Sequence, residues 1–475
     1  MKPLWNHQVE AIKRAETVKD LFLGMEMGTG KTRTAIEIMR RRFAKKERLM
    51  KTLIIAPIIV CDNWKKEWLM YSKINPHDIL VLTASGAKRC KQLIEACGDQ
   101  LQRPKIIITN YQGLLIDDFF NLLKAWGPEI LLGDESHKVK NHQSKTAKRM
   151  LSLADTAEQR LLLTGTPILN TPMDLWMQFR ILDDGETFGK NFYSFRATYF
   201  RDANSGWSAK PNYFPKWEPT QETYERIQSK IKTKMVRVLK SECLDLPPLV
   251  RQELYVELSP EQRRIYNQMR DEYLAFVREQ EGKHPVTVTA QLAITKALRL
   301  QQILSGYVPT EQDGIVELEN VPRLKVLEEL LEELTPQHKV IVWACFKQNY
   351  KMIAKLCANL KIGYAEIHGD ISNNKRIEEM DRFRTDTNCR VMIANQSAGG
   401  AGINLVEASY SIYYSKGFSL EHDLQSEARN HRGGSEVHEK ITRIDLVSAD
   451  TIDELINEAL RNKQEISNVI LNWRV

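Results

Sequence analysis

What this sequence lacks narrows its class first. Its seven cysteines (Cys61, Cys90, Cys97, Cys243, Cys345, Cys357 and Cys389) are scattered, with no C-x-x-C pair and no histidine cluster nearby. Neither a zinc site nor a disulfide framework is indicated, and an odd, dispersed set reads as reduced thiols. Long apolar runs are also missing: the longest, residues 53–61, contains Pro57 and falls far short of a bilayer crossing. The opening residues 1–7 have no signal-peptide core, so the expectation is no membrane partner and a cytosol-like compartment. Nor is there a large charge excess. The 68 Lys and Arg against 61 Asp and Glu leave +7 over 475 residues, which permits a polyanionic partner only through a local basic patch. With 42% apolar and 27% charged residues, the chain has the make-up of a globular protein of two or three domains.

What is present centres on residues 24–32. Gly24, Gly28 and Gly30 lead into Lys31 and Thr32, giving a G-x-x-x-x-G-K-T phosphate loop in which Met25 stands at the first glycine position. Its context fits: Leu21, Phe22 and Leu23 precede it as a short strand, and Ala35, Ile36 and Met39 come after it at helical spacing. Gly28 and Gly30, on either side of Thr29, let backbone N–H groups turn onto phosphates, and the start of the helix adds its own unpaired N–H groups. Lys31 is spaced to reach the β- and γ-phosphates, and the Thr32 hydroxyl to ligate Mg²⁺. The competing reading, a glycine turn before an ordinary amphipathic helix, is weakened by an acidic pair further along the chain.

About a hundred residues on, an apolar run ends in Asp134-Glu135-Ser136-His137. Adjacent carboxylates at a strand end suit two tasks: Asp134 can hold Mg²⁺ through its water shell, and Glu135 can orient and deprotonate an attacking water. A lone pair of this kind is usually a turn; in the same domain as a phosphate loop the catalytic reading is preferred. Upstream, Gln8 is a candidate reader of an adenine edge, since an amide both donates and accepts, although a surface glutamine is more often only solvated. The basic run 40–48 reads as a solvated helix end complementing the dipole, with a contribution to a DNA-facing patch as the alternative.

Short, nearly continuous apolar runs at 52–56, 79–82, 106–109, 130–132 and 161–164 alternate with helical patterns, as expected of a doubly wound parallel sheet covered on both faces. Residues 171–240 differ in kind: Phe188, Phe192, Tyr193, Phe195, Tyr199, Phe200, Trp207, Tyr213, Phe214 and Trp217 form a dense aromatic set. A base-stacking surface is one reading; a small core of an irregular insertion is favoured. The second half has an amphipathic helix through Leu324, Leu327, Leu331 and Leu334, then strands expected at 340–343, 364–368, 391–394, 411–414 and 441–447. It has no phosphate loop of its own.

The order of these motifs resembles that of the Swi/Snf-type ATPases, a branch of the superfamily-two helicases, over nearly the full chain. Residues 56–67, with Pro57 and Asn63-Trp64-x-x-Glu67, are similar to that branch's proline strand and the N-W-x-x-E helix after it. Residues 108–111, the Thr164-Gly165-Thr166-Pro167 turn, the basic segment from Met235 to Lys240 and the Leu246-Pro247-Pro248 hinge also fall in the family order. Residues 395–405, including Gly402, resemble its A-G-G-x-G-x-N-L loop, and Gln425, Arg429, His431 and Arg432 its closing Q-x-x-x-R-x-H-R box. Thr29 and Ser136 depart from the residues usual there, which bears on subfamily and not on chemistry.

The resemblance implies an α/β fold of two RecA-like doubly wound parallel-sheet lobes with helical insertions. The expected domains are an ATP-binding lobe at 1–170, its helical insertion at 171–245, a linker and second insertion at 246–320, and a C-terminal helicase lobe at 321–475. It further implies a DNA-stimulated ATPase that uses ATP and Mg²⁺ and moves on double-stranded or branched DNA. A strand-separating or branch-migrating helicase, and an ATP-gated nucleic-acid clamp, are the alternatives. The site residues so implied are Lys31, Asp134, Glu135, Arg429 and Arg432 for catalysis. Gln8, Gly28, Thr29, Gly30, Lys31, Thr32, Gly402 and Gln425 are implied for the nucleotide, and Thr32 and Asp134 for the metal. The absence of recognisable accessory modules suggests a bare motor in the cytoplasm of a bacterial or phage-infected cell, ahead of a nuclear one.

Overall fold

A computed structural model describes residues 3–98, 104–205, 215–243, 246–280, 295, 297–309, 314–397 and 403–471. The chain divides into two compact units, one of residues 1–245 together with 463–475 and the other of residues 246–462, so the last helix, Ile452–Leu471, crosses from the second to the first and the unit expected to run from 321 to the end stops at 462. No helix among the described residues is long and apolar enough to cross a membrane.

The first unit is built on a seven-stranded sheet. Its strands are β1 (Leu21–Met25), β2 (Thr52–Ala56), β3 (Ile79–Leu82), β4 (Ile106–Asn110), β5 (Ile130–Asp134), β6 (Gln159–Leu163) and a strand from much later in the chain, Met235–Val238. A small antiparallel pair, β7 (Phe200–Asp202) and β8 (Trp217–Pro219), comes before that late strand, which is therefore β9. The order across the sheet is β3-β4-β2-β5-β6-β1-β9, with every neighbour parallel.

The continuous apolar runs are explained by burial on both faces. Along β1 and β2 every residue is buried, and alternate residues go to opposite clusters: Phe22, Leu53, Ile55 and Leu131 to one, Leu21, Leu23, Ile54 and Leu132 to the other. This is the period of two expected of strands covered by helices above and below. The covering helices include α1 (Asn6–Thr17), α2 (Lys31–Lys46) and α3 (Cys61–Tyr71).

The expected strands all form, β2 and β3 with the expected ends and the others with ends shifted by at most three residues, as at β5, which extends to Asp134. Strand β9 departs from expectation: it lies within the 171–245 interval expected to be helical, too short and too polar at Arg237 to stand out. The aromatic set is mostly core where it is described. Phe188, Phe195 and Phe200 are buried with Phe179 and Trp176, while Tyr193 stays exposed; Trp207, Tyr213 and Phe214 lie outside the described residues. The basic run 40–48 is mostly a solvated helix end, with Arg40 and Arg41 paired to Glu37 and Glu16. Arg42 is the exception, buried and donating to the Lys19 carbonyl at 2.7 Å.

The second unit carries a six-stranded parallel sheet. Its strands are β10 (Leu249–Val256), β13 (Lys339–Ala344), β14 (Gly363–Ile367), β15 (Cys389–Asn395), β16 (Ala408–Tyr413) and β17 (Ile441–Ser448), while β11 (Tyr307–Pro309) and β12 (Ile315–Glu317) form a separate hairpin. The order is β10-β17-β16-β13-β15-β14. The helix Pro322–Leu334 buries Leu327, Leu331 and Leu334 on it, at the spacing read from sequence. Strand β10 arises inside the stretch expected to be linker and insertion.

Candidate nucleotide site

In the first unit the ends of three parallel strands converge: β1 leads into the phosphate loop, β5 ends at Asp134, and β6 ends one residue before Thr164. In open parallel sheets this carboxyl edge is where ligands bind. The loop has the backbone its glycines allow, with φ of +87° at Gly28 and +80° at Gly30. Gly30 caps α2 without a side-chain cap bond, so the helix opens with N–H groups available to an anion. A Cβ on Gly30 would stand 2.4 Å from Gln8 Nε2; only glycine fits both the angle and the space.

In the first unit the residues named from sequence each have a defined place. Lys31 donates from Nζ to the Met25 carbonyl at 2.9 Å, folding back over its own loop. Thr29 is buried, its hydroxyl donating to the Glu26 carbonyl at 2.7 Å and its own carbonyl accepting from His7 Nε2 at 2.9 Å. Thr32 is half-buried in the first turn of α2. Gln8 is buried rather than a solvated surface residue. Its Oε1 accepts from the Trp5 N–H at 2.9 Å and its Nε2 donates to the Gly30 carbonyl at 3.2 Å.

Asp134 is 8% exposed and held on three sides. Its Oδ2 accepts from Trp64 Nε1 at 2.9 Å, its Oδ1 from the Glu135 N–H at 3.0 Å, and its carbonyl from the Tyr111 hydroxyl at 2.7 Å. Burial first, then the charge of Glu135, pushes the Asp134 carboxyl up to about 6, against the opposing pull of Trp64 and Lys31.

Glu135 adopts a left-handed backbone, φ +53° and ψ +52°, a conformation that costs a non-glycine residue about 1–2 kcal/mol. Its Oε2 accepts from the Thr164 hydroxyl at 3.0 Å, and His137 Nδ1 lies 2.9 Å from the same hydroxyl. A hydroxyl has one proton, and the carboxylate takes it; His137 Nδ1 therefore donates to Thr164. His137 Nδ1 also lies 3.4 Å from Glu135 Oε2 itself, so the imidazole and the Thr164 hydroxyl both face the carboxylate. Ser136 is satisfied by Gln178 at 2.8 Å, which accounts for a hydroxyl in a buried position.

Trp64, Tyr111, Thr164 and His137 stand out in sequence only as parts of a motif order, yet they orient the two carboxylates. The signal lies in the Trp64 helix and the T-G-T-P turn; no local pattern gives their partners.

In the second unit Arg429 and Arg432 come together. Their Nη1 atoms both donate to the Ile403 carbonyl, at 3.2 and 3.4 Å. Gln425 is buried and its amide donates to Glu421 at 3.0 Å, one helical turn earlier. Gly402 lies outside the described residues. The helix that carries Gln425, Leu420–Glu427, is pinned by buried ions. Arg443 reaches Asp423 at 2.8 Å, Glu427 at 3.1 Å and Asp445 at 3.1 Å. Lys416 adds to Asp445 at 3.2 Å and Arg251 to Glu427 at 2.7 Å.

A glycine loop running from a parallel strand into a helix, with an acidic pair at the end of a nearby strand, defines a P-loop nucleoside triphosphatase. More narrowly, the chain belongs to the SNF2-related domain family of helicase-like ATPases, whose profile matches residues 8–305; that of the helicase conserved C-terminal domain matches residues 322–434. It is 25% identical to the CHD3-type chromatin-remodeling factor PICKLE of Arabidopsis thaliana, over 95% of this chain and 33% of that protein. It is 26% identical to an uncharacterized ATP-dependent helicase, MG018, of Mycoplasma genitalium, over 98% of this chain and 42% of that one. The chain thus spans about a third to two fifths of the length of these relatives. Among solved structures it is similar to a Sulfolobus solfataricus SWI2/SNF2 ATPase core in complex with dsDNA, at 22% identity and a TM-score of 0.44, over 99% of this chain and 94% of that one.

Proposed function

We propose that the chain is the motor part of an ATP-dependent DNA translocase, moving on double-stranded DNA. The observation that carries this reading is a phosphate loop on the same sheet edge as Asp134 and a Glu135 oriented through Thr164. Relatives named as a chromatin-remodeling factor and an ATP-dependent helicase support DNA as the polymer.

ATP with Mg²⁺ fits the donor set: the Thr32 hydroxyl and the Asp134 carboxylate are hard oxygen ligands of the kind Mg²⁺ takes beside phosphate oxygens. When bound, the metal nucleotide supplies the transferable phosphoryl group and part of its charge neutralisation. Lys31 exchanges the Met25 carbonyl for phosphate oxygens. Asp134, whose carboxyl burial raises, would hold Mg²⁺ in its ionised form together with the Thr32 hydroxyl. Glu135 orients the attacking water and accepts its proton at the carboxylate, while His137 and Thr164 hold that carboxylate in place. Gln8 shapes the site through Gly30. Arg429 and Arg432 supply guanidinium charge to the phosphoryl oxygens, with Gln425 as a positioning group and Arg432 as the main finger.

Steady-state ATP hydrolysis measured without polymer, with duplex DNA, with single-stranded DNA and with RNA tests the reading. Duplex DNA is expected to stimulate turnover regardless of sequence, with binding that weakens steeply as salt rises. A bound triplex strand should be displaced better than a plain duplex is unwound. Efficient unwinding of a blunt duplex without triplex displacement would instead favour the strand-separating helicase, and duplex binding without turnover the clamp.

A further inference from the structure

Strand β9 carries a side chain that the proposed chemistry does not use. Arg237 is 7% exposed and sits in register with Gly24 of β1. Its Nη1 donates to the carbonyls of Gly24 at 2.9 Å and Gly165 at 3.3 Å, and its Nη2 lies 3.5 Å from Glu26 Oε1. One guanidinium thus meets the end of β1, the phosphate loop and the turn after β6. A planar fork of fixed charge is the side chain suited to several acceptors at once. Space is tight at this junction, where a Cβ on Gly165 would stand 3.3 Å from the Met27 nitrogen.

Glu26 is itself fastened twice more. Its N–H donates to the Val238 carbonyl at 3.0 Å, and its Oε2 accepts from the Lys240 N–H at 2.9 Å. The residue that opens the phosphate loop is therefore clasped, by backbone and by side chain, to residues 237–240, shortly before the chain passes into the second unit at Leu246.

We propose that Arg237, acting with Glu26, is a positioning residue for nucleotide turnover. It sets the distance between the phosphate-binding half of the site and the water-activating half, and ties both to the segment that leaves the first unit. The proposal rests on the ATPase reading of the site. Lys31 comes five residues after Glu26, and Thr164, the partner of Glu135, adjoins Gly165. Without the guanidinium both halves remain, but their spacing is no longer fixed, which lowers turnover more than binding.

The test uses the full chain with Arg237→Gln, Arg237→Lys, Glu26→Gln and the Arg237→Gln/Glu26→Gln double variant. Four quantities are read: kcat and KM for ATP with and without duplex DNA, binding of a labelled nucleotide, and melting temperature. Misplacement of this kind is expected to lower kcat by about 10- to 100-fold in Arg237→Gln, with much smaller changes in KM. Arg237→Lys should recover part of the loss, since it keeps the charge without the fork. Glu26→Gln should lose less, and the double variant should be no worse than Arg237→Gln alone.

Glu26 has a side chain 34% exposed, so its variant decides the matter if Arg237→Gln does not fold. Wild-type kcat in Glu26→Gln overturns the proposal. So does a fall in nucleotide binding and melting temperature that matches the fall in turnover, which would mark a merely structural role. Wild-type protein that hydrolyses no ATP with any polymer removes the ATPase reading and the clasp together; active wild type beside an indifferent Glu26→Gln removes the clasp alone.

Discussion

The first unit carries its reactive charges on strained or crowded backbone, whereas the second holds a mostly buried charge network, closed at its rim by the exposed Arg251, around the helix that leads to its arginine box. Glu135 is held left-handed and oriented by a neutral hydroxyl, and Lys31 rests on a carbonyl. In the second unit three cations, Arg251, Lys416 and Arg443, meet three carboxylates, Asp423, Glu427 and Asp445. Arg443 also covers the Tyr413 ring at 4.0 Å. Buried ion pairs contribute little net stability, because desolvation offsets attraction, but breaking one is costly. Such a network fixes the geometry of the helix leading to Arg429 and Arg432. A loop that must exchange partners when phosphates arrive is better served by weak neutral contacts. One sheet plan thus serves a site that changes partners and a support that does not.

The largest expected effect tests whether the second unit takes part in chemistry at all. Arg432→Ala should lower DNA-stimulated turnover by on the order of 10³–10⁵ while leaving binding of DNA and of a labelled ATP analogue intact. Turnover above about a third of wild type, far outside that range, would confine the chemistry to the first unit. Next, Glu135→Gln keeps the shape but cannot accept a proton, and hydrolysis should fall by about 10²–10⁴ with nucleotide binding retained. Wild-type hydrolysis in single-turnover measurements would remove Glu135 from its role.

The remaining two predictions concern stability. Arg443→Met takes away the cation that three carboxylates share, leaving Glu427 to Arg251 and Asp445 to Lys416 but removing the ion pair of Asp423, and should cost about 3–5 kcal/mol in denaturant titration; a loss under about 1 kcal/mol, the surface-pair range, would mean the network is well hydrated. The smallest effect is in pH. Because the Asp134 carboxyl is raised in the folded protein from 3.8 to about 6, the native state binds its proton more tightly than the unfolded chain does. Its contribution is fully present below about pH 4 and is lost as pH rises through about 6, a change on the order of 2–3 kcal/mol. Asp134→Asn should flatten that portion of the nucleotide-free stability profile. An unchanged difference between variant and wild type from pH 4 to 6.5, bracketing the two pKa values, would show that Asp134 titrates normally.

Much of the fold and site is legible in the sequence because its signals are local. The phosphate loop, the acidic pair and the parallel strands each announce themselves within about ten residues, through glycine placement or through apolar runs. The features that escape are set by distance. The bond from Trp64 to Asp134 spans 70 residues, and no periodicity reports such a pairing. Strand β9 escapes because it is only four residues long and carries a buried arginine, and β10 because an edge strand tolerates exposed polar residues, as at Arg251 and Gln252. In sequence Gln8 reads as a base contact from its donor and acceptor pair. The same pair serves Trp5 and Gly30, and only burial distinguishes the two uses.

The place of β9 has a consequence for how the protein is made. Strand β1, which delivers the phosphate loop, has β6 on one side and β9 on the other. Until residues 235–238 leave the ribosome, the strand at the centre of the site is an open sheet edge with unpaired backbone groups. A nascent chain halted near residue 200 is expected to be sensitive to protease and prone to join other edges, whereas one halted well past residue 240 should resist; equal sensitivity would show that β1 is protected some other way. On that expectation the strand that leads to Lys31 waits more than two hundred residues of synthesis for its second neighbour, so the phosphate loop is made long before its sheet is closed.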